Sequence, residues 1–226
     1  MSSRQLKRKA LELLGSGDLD RALDCLCQMP ARQIINPLLS FLVTTDPKIK
    51  WASVTAIGVV VANLADHDRE AARVIMRRLM WQLNDESGGI GWGCPEALGE
   101  IIVCHAGLAG EFAEVLVSYV RQDGNFLEYE PLQRGAVWGI ARVAQVDSYL
   151  VDDSIPHLLP FLKSPDAALR GLAAWALGLL GAQEACLGIE GLLGDPSGVE
   201  IYRDRKLSVL PVMNLATEAL ARLKNA

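Results

Sequence analysis

Residues 84 to 99, NDESGGIGWGCPEALG, place glycines at 88, 89, 91 and 93 directly ahead of a stretch that reads as a helix. Such a turn can cradle phosphate, because unpaired backbone N–H groups and the helix dipole both favour an anion. The surrounding charge argues against it. Residues 79 to 120 contain no Lys or Arg, whereas Asp85, Glu86, Glu96, Glu100, Glu111 and Glu114 are acidic. The spacing matches neither a Lys-ended phosphate loop nor a strand-turn-helix dinucleotide fingerprint. A structural turn is expected, with Pro95 in the first turn of the following helix.

Other reactive residues are equally unhelpful to chemistry. Cys25 and Cys27 would point about 200° apart around a helix, a poor chelating geometry. The cysteines are odd in number and scattered among apolar neighbours (Cys25, Cys27, Cys94, Cys104, Cys186), so reduced thiols are expected rather than a secreted disulfide framework. His67, His105 and His157 are far apart and none is followed by Glu. No catalytic, metal or cofactor site is expected.

Two ridges of tryptophan and charge remain. Trp92, Glu96 and Glu100 are spaced i, i+4, i+8, and Arg134, Trp138 and Arg142 repeat that spacing. They fit two readings: salt bridges and tryptophan packing between neighbouring segments, or a surface that grips a partner.

The elements that must position these residues are helical. Apolar residues recur at three- and four-residue spacing almost throughout, and helix starts are marked by Asp46-Pro47, Glu130-Pro131 and Ser164-Pro165-Asp166. Half the residues are apolar, enough for a substantial core, and no polar linker divides the chain, so residues 1 to 226 are expected to form one body. The longest apolar run, between Lys50 and Asp66, is shorter than the ~20 residues a bilayer span needs. The basic N-terminus lacks a signal-like core, and a cytoplasmic protein is expected.

One short pattern returns along the chain: KWASVTAIG (50–58), GWGCPEALG (91–99), RGAVWGIAR (134–142) and RGLAAWALG (170–178), with a weaker copy ending in ALA (219–221). Repeats of about 40 residues built of helix pairs indicate an α-solenoid. Residues 1 to 30 read as a capping helix pair, with repeats over 31 to 226. Near the end, VEIY (199–202) and LSVL (207–210) alternate in strand fashion around RDRK, which predicts a β-hairpin over about 199 to 210.

The small residues of the second helices and the Ala-Leu-Gly ending resemble the HEAT repeat, in particular bacterial HEAT-like repeats related to phycobilisome lyase subunits. SPDAALRGLAAWALG (164–178) is the fullest match, and the resemblance covers about residues 36 to 224. It implies an all-α, right-handed α-solenoid of about five or six helix pairs, with the hairpin as an interruption. It also implies that second helices line a concave surface. Trp51, Trp92, Trp138 and Trp175 are assigned to second helices, and Gly135 and Gly139 would leave a notch among them. Enzymatic HEAT-like arrays such as deoxyhypusine hydroxylase hold iron with His-Glu pairs, which this chain lacks. HEAT-like DNA glycosylases use a basic face, but residues 79 to 133 carry nine acids against Arg121 alone, so nucleic acid would be repelled.

The expected function is a non-enzymatic scaffold that binds a basic or amphipathic protein segment. Its candidate partner-binding residues are Trp51, Trp92, Glu96, Glu100, Glu128, Glu130, Arg134, Trp138, Arg142 and Trp175, with the ridges partly exposed. No cofactor, nucleic acid or membrane is implied. The alternative, implied by the family resemblance, is a lyase-type or cofactor-maturation subunit working with a partner protein.

Overall fold

The computed structural model describes residues 2–84 and 91–224. Gly88 and Gly89 of the expected glycine turn lie outside the described residues. The chain divides into two compact units, residues 1–109 and 110–226.

The first unit is built from helix pairs. α1 (Ser3–Leu14) opens with a capping box in which the Ser2 hydroxyl oxygen accepts from the Gln5 N–H and the Gln5 side-chain oxygen accepts from the Ser2 N–H. With α2 (Leu19–Cys27), capped by Asp18, it forms the expected N-terminal pair. α3 (Ala31–Phe41) and α4 (Pro47–His67) follow, then α5 (Arg69–Leu83) and α6 (Cys94–Cys104). Asp46 caps α4 by accepting from the Lys48 and Ile49 N–H groups, and Pro47 supplies a ready helical φ.

α4 is long and apolar enough by composition to cross a membrane, yet 67% of that apolar window is buried within the protein. It is the centre of the first unit, packed by α2, α3, α5 and α6. At Gly58, which closes the first copy of the repeat pattern, a Cβ would lie 2.6 Å from Glu100 Cγ and 3.1 Å from Glu100 O. The missing side chain lets α4 and α6 approach closely.

α7 (Ala106–Ser118) contains the boundary between the units. In the second unit α8 (Glu130–Ala144), α10 (Ala167–Leu179) and α12 (Val212–Leu223) stack in sequence. The seam is again made of small residues: a Cβ on Gly178 would meet Ala219 Cα at 2.6 Å and Ala219 Cβ at 2.7 Å. The intervening first helices are reduced. α9 (Ile155–Leu158) gives way to a 3-10 segment, Leu159–Lys163, where Pro160 lacks the N–H an α-helix needs. α11 (Cys186–Glu190) is a five-residue remnant.

The hairpin lies where the alternation predicts it: β1 (Gly198–Arg203) pairs antiparallel with β2 (Lys206–Pro211), with Val199 opposite Leu210 and Ile201 opposite Ser208. It is the only strand pairing among the described residues. The two-residue turn holds Asp204 at φ 52° and Arg205 at φ 60°, the paired positive dihedrals that suit the twist of a tight hairpin. A two-stranded sheet needs packing to persist. Here Val199 and Ile201 are buried, and the hairpin rests on α10 and α12.

Candidate functional site

Half of the six ridge residues are internal: Glu96, Glu100 and Trp138. Trp138 is only 2% exposed: its Nε1–H donates to the Tyr202 carbonyl oxygen at 2.8 Å, and the two rings lie 6.4 Å apart. The expectation of partial exposure is therefore corrected, because the hairpin covers Trp138. Trp175 is buried on α10 with the Arg203 guanidinium 5.8 Å from its ring, and its Nε1 has no acceptor among the described residues. Trp51 is buried on α4 beside the Lys50 ammonium. Gly135 and Gly139 are buried too, so they leave no open notch.

Glu96 and Glu100 are likewise buried rather than partly exposed. Lys50 Nζ lies 2.7 Å from Glu96 Oε1, which compensates that carboxylate inside the first unit, and Glu100 packs at the Gly58 approach. Trp92 is exposed, at 48%, but it precedes α6. Gly93, the N-cap, has φ 79°, so the helical spacing that joins Trp92 to Glu96 in the sequence does not describe one helix face.

Arg134 makes a forked bridge to Asp166, with Nε to Oδ1 at 3.1 Å and a second bond from Nη2 to Oδ2. Arg170, at the same place in the next copy, donates from Nε and Nη2 to Asp195 Oδ2 at 2.8 and 2.6 Å. In these two copies the first guanidinium thus reaches forward to the carboxylate of the loop beyond, a tie between consecutive repeats. Arg142 is half-buried.

Of the expected acids, those at the start of α8 stay accessible. Glu128 and Glu130 are exposed and flank Tyr129, itself 54% exposed at the start of α8. Arg121 donates to Asp123 at 3.3 and 3.1 Å, and Glu114 and Asp153 also act on it. Asp123 foremost, then those carboxylates, hold the guanidinium's pKa above its ordinary value. In return Arg121, with a smaller contribution from His157, keeps the Asp123 carboxyl below the carboxylate range. One cation thus sits among several exposed acids. Asp152, Asp153 and the exposed Tyr149 were not singled out in the sequence; their nearness to Arg121 or their exposure carries no periodic signal.

No group of three or more metal-ligating side chains occurs among the described residues. Burial first, and Glu96 second, push the Cys94 thiol up to about 12, far from a nucleophile's range. All five cysteines are unbridged.

Residues 130 to 180, spanning α8 to α10, match the HEAT-like repeat family. The chain is similar to a designed armadillo repeat protein at 19% identity, covering 96% of this chain and 99% of that one with a TM-score of 0.52. A second designed armadillo repeat protein, in complex with a (KR)4 peptide, aligns at 18% identity over 96% and 99% of the chains with a TM-score of 0.50. A Kap121p mutant gives a TM-score of 0.58 at 13% identity, where 98% of this chain covers 25% of that one. No protein of curated function matches. The class these likenesses define is the armadillo/HEAT type of α-solenoid, here with a two-stranded insertion near the C-terminus.

Proposed function

We propose that this chain is a non-enzymatic cytoplasmic scaffold that binds a basic or amphipathic protein segment on the acidic surface of its second unit. The observation that carries the reading is the exposed pair Glu128 and Glu130 around Tyr129, on the same unit as the acid-rich surroundings of Arg121. An aromatic anchor flanked by carboxylates suits a Lys- or Arg-bearing segment through stacking and charge together. The (KR)4 peptide bound by the designed armadillo relative is a ligand of that chemistry. Unbridged cysteines accord with a reducing compartment. Of the residues first considered, Trp92, Glu128 and Glu130 are accessible enough to touch a partner, and Arg134 and Arg142 stand at half-burial.

Fluorescence anisotropy with a labelled (KR)4 peptide tests it. Exposed charge contacts are worth about 0.2–1 kcal/mol each, and reversal turns attraction into repulsion, so Glu128→Lys/Glu130→Lys is expected to weaken binding roughly fourfold or more. Wild-type affinity is expected to fall steeply between about 50 and about 300 mM salt. Absence of binding, or equal affinity of the double variant, overturns the proposal.

A further inference from the structure

The first unit carries a second surface of opposite character. α3 and α5 both pack on α4 and leave between them a cavity of about 380 Å³, with Ile35, Ala71, Val74 and Ile75 among its lining residues. A cleft of this size is within the range of ligand pockets, whereas protein interiors pack without such space. A salt link and a hydrogen bond border it: Arg32 Nη2 bonds Asp68 Oδ2 at 2.6 Å, and Arg78 Nη1 donates to the neutral Asn36 Oδ1.

α5 also exposes large apolar groups. Val74 is 54% exposed and Trp81 77% exposed, seven residues apart and so about two turns along one helix face. Together with the cleft they extend apolar surface along this side of α5.

The cleft is lined by Arg32 and Arg78 together with the acids Asp68 and Glu70, but Asp68 is bonded by Arg32, and α5 carries a surplus of cations in a chain of net charge −5. α5 bears Arg69, Arg73, Arg77 and Arg78 against the single acid Glu70, which is bonded by both Arg77 and Arg73. Arg78 is the informative member. Its hydrogen-bond acceptor among the described residues is the neutral Asn36 amide, and no carboxylate among them pairs with it. A carboxylate arriving there would replace a neutral acceptor with a charged one, which makes a shorter and stronger bond.

From these three observations we infer that the α3/α5 cleft is a docking site for an acidic amphipathic helix of a partner protein. One apolar side chain enters between Ile35 and Ile75, a carboxylate meets Arg78, and a second apolar residue lies on Trp81. The mode is the helix-in-groove arrangement, with anchors spaced by turns of the bound helix. It is separate from the acidic surface of the second unit and selects partners of opposite charge.

The test uses the full chain and a fluorescein-labelled helical peptide of about 18 residues, with leucines on one face and glutamates beside them. Saturable binding is expected, accompanied by a change in tryptophan fluorescence that Trp81→Phe abolishes. Arg78→Glu and Val74→Asp are each expected to weaken binding at least tenfold while circular dichroism stays unchanged, since both side chains face solvent. A control peptide with Lys for Glu is expected not to bind this face. Affinity for (KR)4 should be unaltered by Arg78→Glu, which separates the two surfaces. The inference is overturned if the acidic peptide does not bind, if neither variant weakens it, or if single-stranded DNA binds with the same Arg78 dependence while the peptide does not.

Discussion

Replacing Trp138 with alanine removes a buried indole from beneath the hairpin and leaves the Tyr202 carbonyl without its 2.8 Å donor. Buried Trp-to-Ala changes cost about 3–5 kcal/mol. For a chain of this length each kcal/mol moves Tm by about 2–4 °C, so a fall of roughly 6–20 °C is expected. Trp138→Phe keeps an aromatic ring but still removes the Nε1–H donor to the Tyr202 carbonyl, at a cost of about 1–3 kcal/mol. Differential scanning fluorimetry measures the shifts. Hydrogen exchange of the Ile201 and Ser208 amides reports whether the hairpin has loosened specifically. If Trp138→Ala lowered Tm by less than about 3 °C yet weakened (KR)4 binding, Trp138 would be a contact residue and the burial argument would be wrong.

Gly178→Ala would place a Cβ 2.6 Å from the Ala219 backbone, so about 1–3 kcal/mol of stability should be lost in urea unfolding, whereas Gly194, with nothing within 4 Å, should accept alanine with far less effect. Lys50→Met leaves the buried Glu96 carboxylate uncompensated and should cost about 3–5 kcal/mol; adding Glu96→Leu should restore at least half of the urea midpoint, and failure of that rescue would refute the pairing. The Asp195 carboxyl is held below its ordinary value, first by Ser197 and then by Arg170. Its stabilisation is therefore complete above the unfolded carboxylate pKa near ~4 and is lost as pH falls through the lower folded value. Asp195→Asn should therefore lower Tm above about pH 4 and converge on wild type at the acid end, which flattens the acid limb of the Tm–pH profile; an unchanged Tm at neutral pH would refute the assignment.

Local signals were readable where a single element decides the outcome. Asp46 caps α4 and Asp166, accepting from the Leu169 N–H, caps α10, because a short carboxylate ahead of a helix can satisfy an open backbone donor whatever surrounds it. The period-two alternation around residues 203 to 206 predicts the hairpin for the same reason. Burial of the ridges was not readable, since it depends on partners distant in sequence. Trp138 is capped by a residue 64 positions later, and Glu96 finds Lys50 46 positions earlier. Spacing identifies a helix face but not what an insertion lays over it. At Trp92 the spacing also misleads, because a single left-handed glycine separates it from α6. The basic residues of α5 read as an ordinary solvated face; only the cavity beside α3 and the exposure of Trp81 distinguish them.

The forward-reaching arginines give the second unit a direction in time. Arg134 precedes its carboxylate by 32 residues and Arg170 precedes its own by 25. During synthesis at about 5–20 residues per second, each guanidinium waits roughly one to six seconds for the loop that completes it. A nascent repeat therefore stays unlatched until its successor has been made, and the last latch closes only when the stretch leading into the hairpin arrives. A chain ending before residue 195 would keep the Arg170 bonds to the Ser164 and Pro165 carbonyls but lack those to Asp195, a state distinguishable from the finished unit by pulse proteolysis.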